Sequence, residues 1–236
     1  MTFSLLLSQT LSCLAKFILY IIPCVIALLV IYFFCRVPKY VFRKCLHLVA
    51  FSCVTVMIIF AECWQAPVFA SIIIIIAVYP LLSLAENIKG FSELFVQKSP
   101  GEVKRSLVML FGIFAVITAV SWGIFGKKYA AAVSILMWGT GDAAAALVGI
   151  PWGKHKVISR FTDGHKSYEG SCAMLIVSFA VGLACLCFHG GLSFSRSLAS
   201  AAAGALAGTL TELITPSEYD TITVPAAVLA VLLLLL

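Results

Sequence analysis

From Tyr129 to Ile150 the chain reads YAAAVSILMWGTGDAAAALVGI, 22 residues with one charged side chain, Asp142. As a helix this stretch is about 33 Å long, enough to cross the ~30 Å hydrocarbon core of a bilayer. Similar apolar runs precede it at Leu11–Phe34, Leu48–Phe60, Pro67–Leu84 and Ser106–Trp122, and follow it at Ser171–Phe188 and Leu198–Ile214. A last run, Val224–Leu236, has only 13 residues and is expected to be re-entrant or clipped. Over its 236 residues the chain is 62% hydrophobic and 11% charged, with mean hydropathy +1.11. Soluble domains carry about a quarter charged residues, so a soluble fold is excluded. The expected fold is all-α, a polytopic transmembrane helix bundle of seven to eight membrane segments in one integral membrane domain, 1–236.

The basic residues orient it. If the first span runs outside to inside, the inner loops hold Arg36, Lys39, Arg43, Lys44, Lys89, Lys98, Lys104, Arg105, Lys154, Lys156, Arg160 and Lys166. The outer loops then hold Lys127, Lys128 and Arg196, and Lys16 lies within or beside the first span. Twelve against three is a strong positive-inside bias. The acidic residues follow the same side, Glu62 excepted, although they do not set topology. Mixed charge on one face of a nearly uncharged protein points to a site there, facing the cytoplasm of a bacterial membrane or endomembrane. No basic residue precedes the first apolar run, so neither a cleaved signal peptide nor a transit peptide is expected. The nine cysteines form no CxxC pair and mostly lie in apolar runs, as small buried thiols do. Cys13, Cys24 and Cys35 recur every eleven residues, on one stripe of a helix. Gly204 and Gly208 form a GxxxG step that suits close helix packing and leaves a homodimer open.

The chemistry gathers around the opening stretch. Asp142 is expected near the bilayer middle, where a carboxylate costs about 2.5–3.5 kcal/mol unless it is paired, hydrated or metal-bound. The flanking Gly139-Thr140-Gly141 can break the helix and let backbone line a polar cavity. Downstream come Gly149, Gly153, Lys154, His155 and Lys156, then Asp163, Lys166, Glu169, Gly170 and Ser171. Glycines permit close backbone approach to an anion, and lysines supply point charges for phosphate. The start of the next helix, at Ser167–Ser171, can offer free N–H groups to the same anion. Upstream, Arg43 and His47 are four apart and share a helical face, with Lys44 turned partly away. The GxxxxGK(S/T) loop is absent, which excludes a soluble P-loop kinase.

GDAAAALVGIPWGKHK followed by DGHKSYEGS resembles the CTP-dependent lipid alcohol kinases: dolichol kinase, phytol kinase and the yeast-type diacylglycerol kinase. Arg43-Lys44-Cys45-Leu46-His47 is similar to that family's Arg-Lys-x-x-His element, and Gly101-Glu102-Val103-Lys104-Arg105-Ser106 to the element before its fourth span. Glu212 and Asp220-Thr221-Ile222-Thr223-Val224-Pro225 look like its C-terminal acidic region, with Thr221 in place of the usual Asn. The likeness covers most of the chain from Arg43 onward, and it implies a kinase-like core over 43–236 after an N-terminal span and basic loop, 1–42. It implies transfer of the CTP γ-phosphate to a lipid alcohol, with Mg2+ or another divalent cation. Asp142, Glu169 and Lys166 would be catalytic, with Asp142 and Glu169 holding metal or accepting the alcohol proton. Lys154, Lys156 and Lys166 would hold the triphosphate, helped by Arg43, Lys44, His47 and the glycines. Glu102, Lys104, Glu212 and Asp220 are second-rank candidates. The partners so implied are a lipid alcohol, a nucleoside triphosphate and the bilayer, with no nucleic acid.

Two other readings compete. A phosphatidate cytidylyltransferase also uses CTP beside a membrane, but its Asp-Arg-x-Asp signature is missing, since the chain contains no Asp-Arg pair. A small transporter would place polar residues at matching depths in two related halves. The halves do not resemble each other.

Overall fold

A computed structural model describes residues 2–88, 101–157, 166–189, 191–216 and 219–236. Lys89, Lys98, Arg160 and Asp163, named above, fall outside them. The described residues form eight helices: α1 (Phe3–Cys35), α2 (Lys39–Phe60), α3 (Gln65–Ala85), α4 (Glu102–Thr118), α5 (Lys128–Trp152), α6 (Tyr168–His189), α7 (Phe194–Ile214) and α8 (Asp220–Leu235). A π-helical stretch, Ala119–Ile124, prolongs α4. Seven of these, α4 taken with its extension, are long and apolar enough to cross a membrane, and α8 is a shorter apolar helix of 16 residues.

Local chemistry sets the helix ends. α1 stops where Arg36 turns left-handed, at φ 49°, and Pro38 then caps α2. Proline disfavours the helical region for the residue before it, so the two helices part at Val37. α2 begins nine residues before its apolar run, which brings Arg43, Lys44 and His47 into its first turns. At Gly126, φ 68°, the chain makes the turn from the π stretch into α5.

Small residues let the helices close on one another, as they must where lipid gives no hydrophobic drive for association. Gly139 and Gly141 do not interrupt α5, contrary to the expected break. They are crossing points: a Cβ on Gly139 would lie 2.3 Å from the Phe51 ring, and one on Gly141 would lie 2.2 Å from Ser178 Oγ. The GxxxG step is likewise spent inside the bundle. Gly204 faces Met137 and Leu232, and Gly208 faces Val228, so this step is not a free surface for a second copy. Phe51, Phe114 and Trp138 meet edge-on at centroid distances of 4.6–6.2 Å, continued by Phe111 and Phe17. This aromatic plug packs the bundle's middle.

Polar side chains lie in two layers. At one end, cations cap helix C-termini. Lys128 Nζ donates to the carbonyls of Ile59 and Ala61 at 2.8 and 2.6 Å, and Lys127 Nζ to that of Leu233 at 2.7 Å. Arg196 holds the carbonyls of Leu235 and Leu236 at 2.9 and 3.0 Å. Terminal carbonyls lack partners within their helix and carry its negative dipole end, so a cation suits them. At the other end, cations meet carboxylates. The layers are fourteen residues apart on α5 (Lys128 to Asp142) and sixteen on α7 (Arg196 to Glu212), or roughly 21–24 Å. Asp142 therefore lies level with the first turns of α2, ten residues before the end of α5 at Trp152. α8 joins both layers: Asp220 is in the carboxylate end, and Arg196 and Lys127 hold its last turn. It crosses the bundle and is not re-entrant.

Candidate functional site

The carboxylate end is built from two knots. In the first, Lys44 Nζ on α2 meets both oxygens of Asp142 on α5, at 2.9 and 2.7 Å. The Lys44 side chain is 11% exposed and that of Asp142 27%, so the pair is largely sheltered by the helices around it. Lys44, His47 and Phe51 follow at helical spacing, and Phe51 lies on Gly139 of α5, which turns Lys44 toward Asp142. The expectation that Lys44 points away is thereby corrected. Its neighbour Arg43 faces α4 instead: Nη1 is 3.7 Å from Glu102, and Nε is buried with no hydrogen-bond partner. His47 stands edge-on to Phe51 at 6.3 Å, with Lys44 and Asp142 close enough for their charges to act on it.

In the second knot, Lys166 is almost fully buried between α6, α7 and α8. Its Nζ lies 3.2 Å from Glu212 Oε1 and 3.8 Å from Asp220 Oδ2, and donates to the carbonyls of Thr215, at 2.7 Å, and Glu212. Ser171 Oγ reaches Glu212 at 3.5 Å. A lysine has three donors, and all have takers here. Lys166 is thus a fastener for the α7–α8 turn and not the free triphosphate clamp expected. The knots share one field, since the charge of Asp142 acts on both Glu212 and Asp220, and that of Lys44 on Asp220.

Glu169 stands apart. Its Oε1 is 2.7 Å from His155 Nδ1, and the His155 backbone N–H lies 3.2 and 3.3 Å from its two oxygens. Asp142 interacts with Lys44, His47 and Arg43, so the two acids of the expected metal pair, Asp142 and Glu169, are engaged by different partners. The reason is a local return of the chain, where Lys156 bridges Ser167 and Tyr168 N–H donates to His155 O at 3.0 Å. The same return closes the start of α6 to an anion. Gly170 N–H donates to Ser167 Oγ at 3.2 Å, and Ser171 N–H to Ser167 O at 3.0 Å. Gly153 N–H is spent on Gly149 O at 3.1 Å. Gly149 and Gly170 let α5 and α6 touch, a Cβ on Gly149 falling 3.4 Å from Gly170 Cα. Gly141, Gly149, Gly153 and Gly170 therefore serve packing in place of the expected phosphate cradle.

Of the remaining expected residues, Lys154 and Lys156 are exposed and make no ion pair with another described residue. Lys104 pairs with Glu86 at 2.8 Å, tying α4 to the end of α3. Sequence reasoning missed Glu86, a lone acid closing the third span, and His155, which lay unassigned between two lysines. It also missed the Thr215 and Glu212 carbonyls, which no side-chain pattern reveals.

Arg43, Lys44 and Lys166 stand against Glu102, Asp142, Glu212 and Asp220, three cations to four carboxylates. This centre is slightly acidic, while Lys154 and Lys156 give the neighbouring loop a positive charge. Among the described residues no three His, Cys, Asp or Glu side chains gather as a metal-ligand set. Mg2+ rarely asks for one, taking one or two carboxylates with water and substrate phosphate. Asp142 and Asp220, each paired with a lysine, are near enough for the charge of the first to act on the second. Comparison with known proteins returns no match to a family model, a curated protein or a solved structure.

Proposed function

We propose that the chain is a membrane-embedded lipid kinase that moves the γ-phosphate of CTP to the hydroxyl of a lipid alcohol, such as diacylglycerol, an isoprenoid alcohol or a polyprenol. The observation that carries this is the Asp142–Lys44 pair, largely sheltered between α2 and α5 at the bundle end where the other carboxylate–cation pairs also lie. The reading rests also on the resemblance of the Gly141–Lys156 and Asp163–Ser171 segments to the CTP-dependent lipid alcohol kinases. Phosphoryl transfer asks a protein mainly for positioning and charge, and this end has both.

In the reaction the lipid oxygen forms a bond to the γ-phosphorus, the bond to the β-phosphate oxygen breaks, and CDP leaves. The alcohol proton passes to a carboxylate, for which Asp142 is the candidate, or to water. Arg43, whose Nε is unmet, and the exposed Lys154 and Lys156 take phosphate oxygens. Lys44, on a flexible stem, can leave Asp142 for the incoming phosphates. Bound Mg2+ would neutralise phosphate charge, held by Asp142 with Asp220.

The test is purified protein with CTP labelled at the γ position and a panel of lipid alcohols. Label in the lipid supports the kinase, and label in pyrophosphate replaces it with cytidylyl transfer. Asp142→Asn should lower turnover by about 10²–10⁴-fold with helix content unchanged. Near-normal turnover in that variant removes the site.

A further inference from the structure

At the capped end, one cation follows the pattern only weakly. Lys127, Lys128 and Arg196 each hold helix-terminal carbonyls, and Glu62 accepts from Gln9 Nε2 at 2.5 Å. Lys16 has a single stretched contact, 3.4 Å to Phe60 O, and stands 5.9 Å over the Phe60 ring. Two of its three N–H donors thus have no acceptor among the described residues. It lies at one end of a groove of about 300 Å³ between α1 and α2, lined by Leu19, Tyr20, Val56 and Phe60. Leu19 and Phe60 are 77% and 61% exposed, so in a bilayer this groove opens on lipid tails.

We propose that the groove binds an anionic phospholipid of the leaflet at the capped end, its phosphate on Lys16 and one acyl chain along Leu19, Val56 and Phe60. An ammonium among lipid-facing apolar side chains needs a counter-charge or a route to water. Among the described residues no carboxylate pairs with it, whereas a phosphodiester offers charged acceptor oxygens to Lys16. The Lys16–Phe60 contact places the cation at the end of α2, where headgroups meet the apolar groove. Net negative charge on the headgroup is preferred, because a choline would set a second cation beside the ammonium. The inference is independent of the kinase reading, since site and readout lie at the opposite end of the bundle.

The experiment reconstitutes the full chain in vesicles of phosphatidylcholine with a minority of phosphatidylglycerol, then extracts it in detergent and weighs the lipid that stays bound. Phosphatidylglycerol should be enriched over its share in the vesicle. Lys16→Gln should cut the enrichment about tenfold, the value of one charge-assisted contact, and Lys16→Arg should keep it. Val56→Trp fills the groove and should lose the lipid with Lys16 in place, which decides the matter if Lys16→Gln does not fold. Unchanged enrichment in either loss variant, or wild-type protein that retains only phosphatidylcholine, overturns the proposal.

Discussion

Replacing Lys166 by methionine keeps the length of the side chain and removes its charge. The side chains involved are 6% exposed for Lys166, 12% for Glu212 and 21% for Asp220. At 3.2 and 3.8 Å, with an effective dielectric of about 20, the lost attractions are on the order of 5 and 4 kcal/mol before desolvation is counted. Lysine's own desolvation offsets much of that, and breaking a buried pair from one side typically costs about 3–5 kcal/mol. The carbonyls of Thr215 and Glu212 lose their donor as well. For a chain of this size the loss corresponds to a fall in melting temperature on the order of 10 °C. Thermal unfolding in detergent, followed by a thiol-reactive dye after the exposed Cys35, Cys172 and Cys187 have been replaced by serine, would read it, since Cys53 and Cys13 are 0% and 2% exposed and react only on opening. Removing the stranded acids too, as Lys166→Met with Glu212→Gln and Asp220→Asn, should recover about 0.5–3 kcal/mol. A Lys166→Met variant that melts within about 2 °C of the parent, or a triple variant no better than the single, would refute the fastener role.

Gly141→Ala should cost about 1–3 kcal/mol by prising α5 from α6. Gly112→Ala, where a Cβ meets nothing within 4 Å, should be neutral or slightly stabilising, and the two melting curves together check the packing role of the first glycine. Lys154→Gln with Lys156→Gln should leave the melting temperature unchanged, raise KM for CTP several-fold and flatten its dependence on salt. Equal KM at low and high salt in the parent would take these lysines out of phosphate binding.

The helix bundle was legible because hydropathy answers directly to the bilayer. Each long apolar run became a helix, and ends moved by only a few residues except at the starts of α1, eight residues before the expected Leu11, and α2. In α2 the basic residues stopped the apolar reading at Leu48, while the backbone stayed helical back to Lys39 because Pro38 sets its start. The gathering of charge at one end was legible too, where Asp142, Lys44, Glu212 and Asp220 lie. Partner choice was not. Whether Arg43 or Lys44 faces Asp142 depends on the roll of α2, which is fixed by Phe51 seating on Gly139. Glu169 could be taken from Asp142 only by knowing that the chain doubles back through Lys156 and Ser167. The glycines misled for a related reason: a residue without a side chain serves a ligand or a neighbouring helix equally well, and composition does not distinguish them.

Consider last the spacing of the two polar layers. That gap of roughly 21–24 Å is shorter than α5 itself, which runs ten residues past Asp142 to Trp152. The carboxylate layer is therefore recessed inside the bundle, not set at its rim. α8, held at both layers, turns only its stripe of Ile222, Ala226, Ala230 and Leu234 outward. A polar molecule bound at Asp142 would sit about 15 Å short of the end of α5.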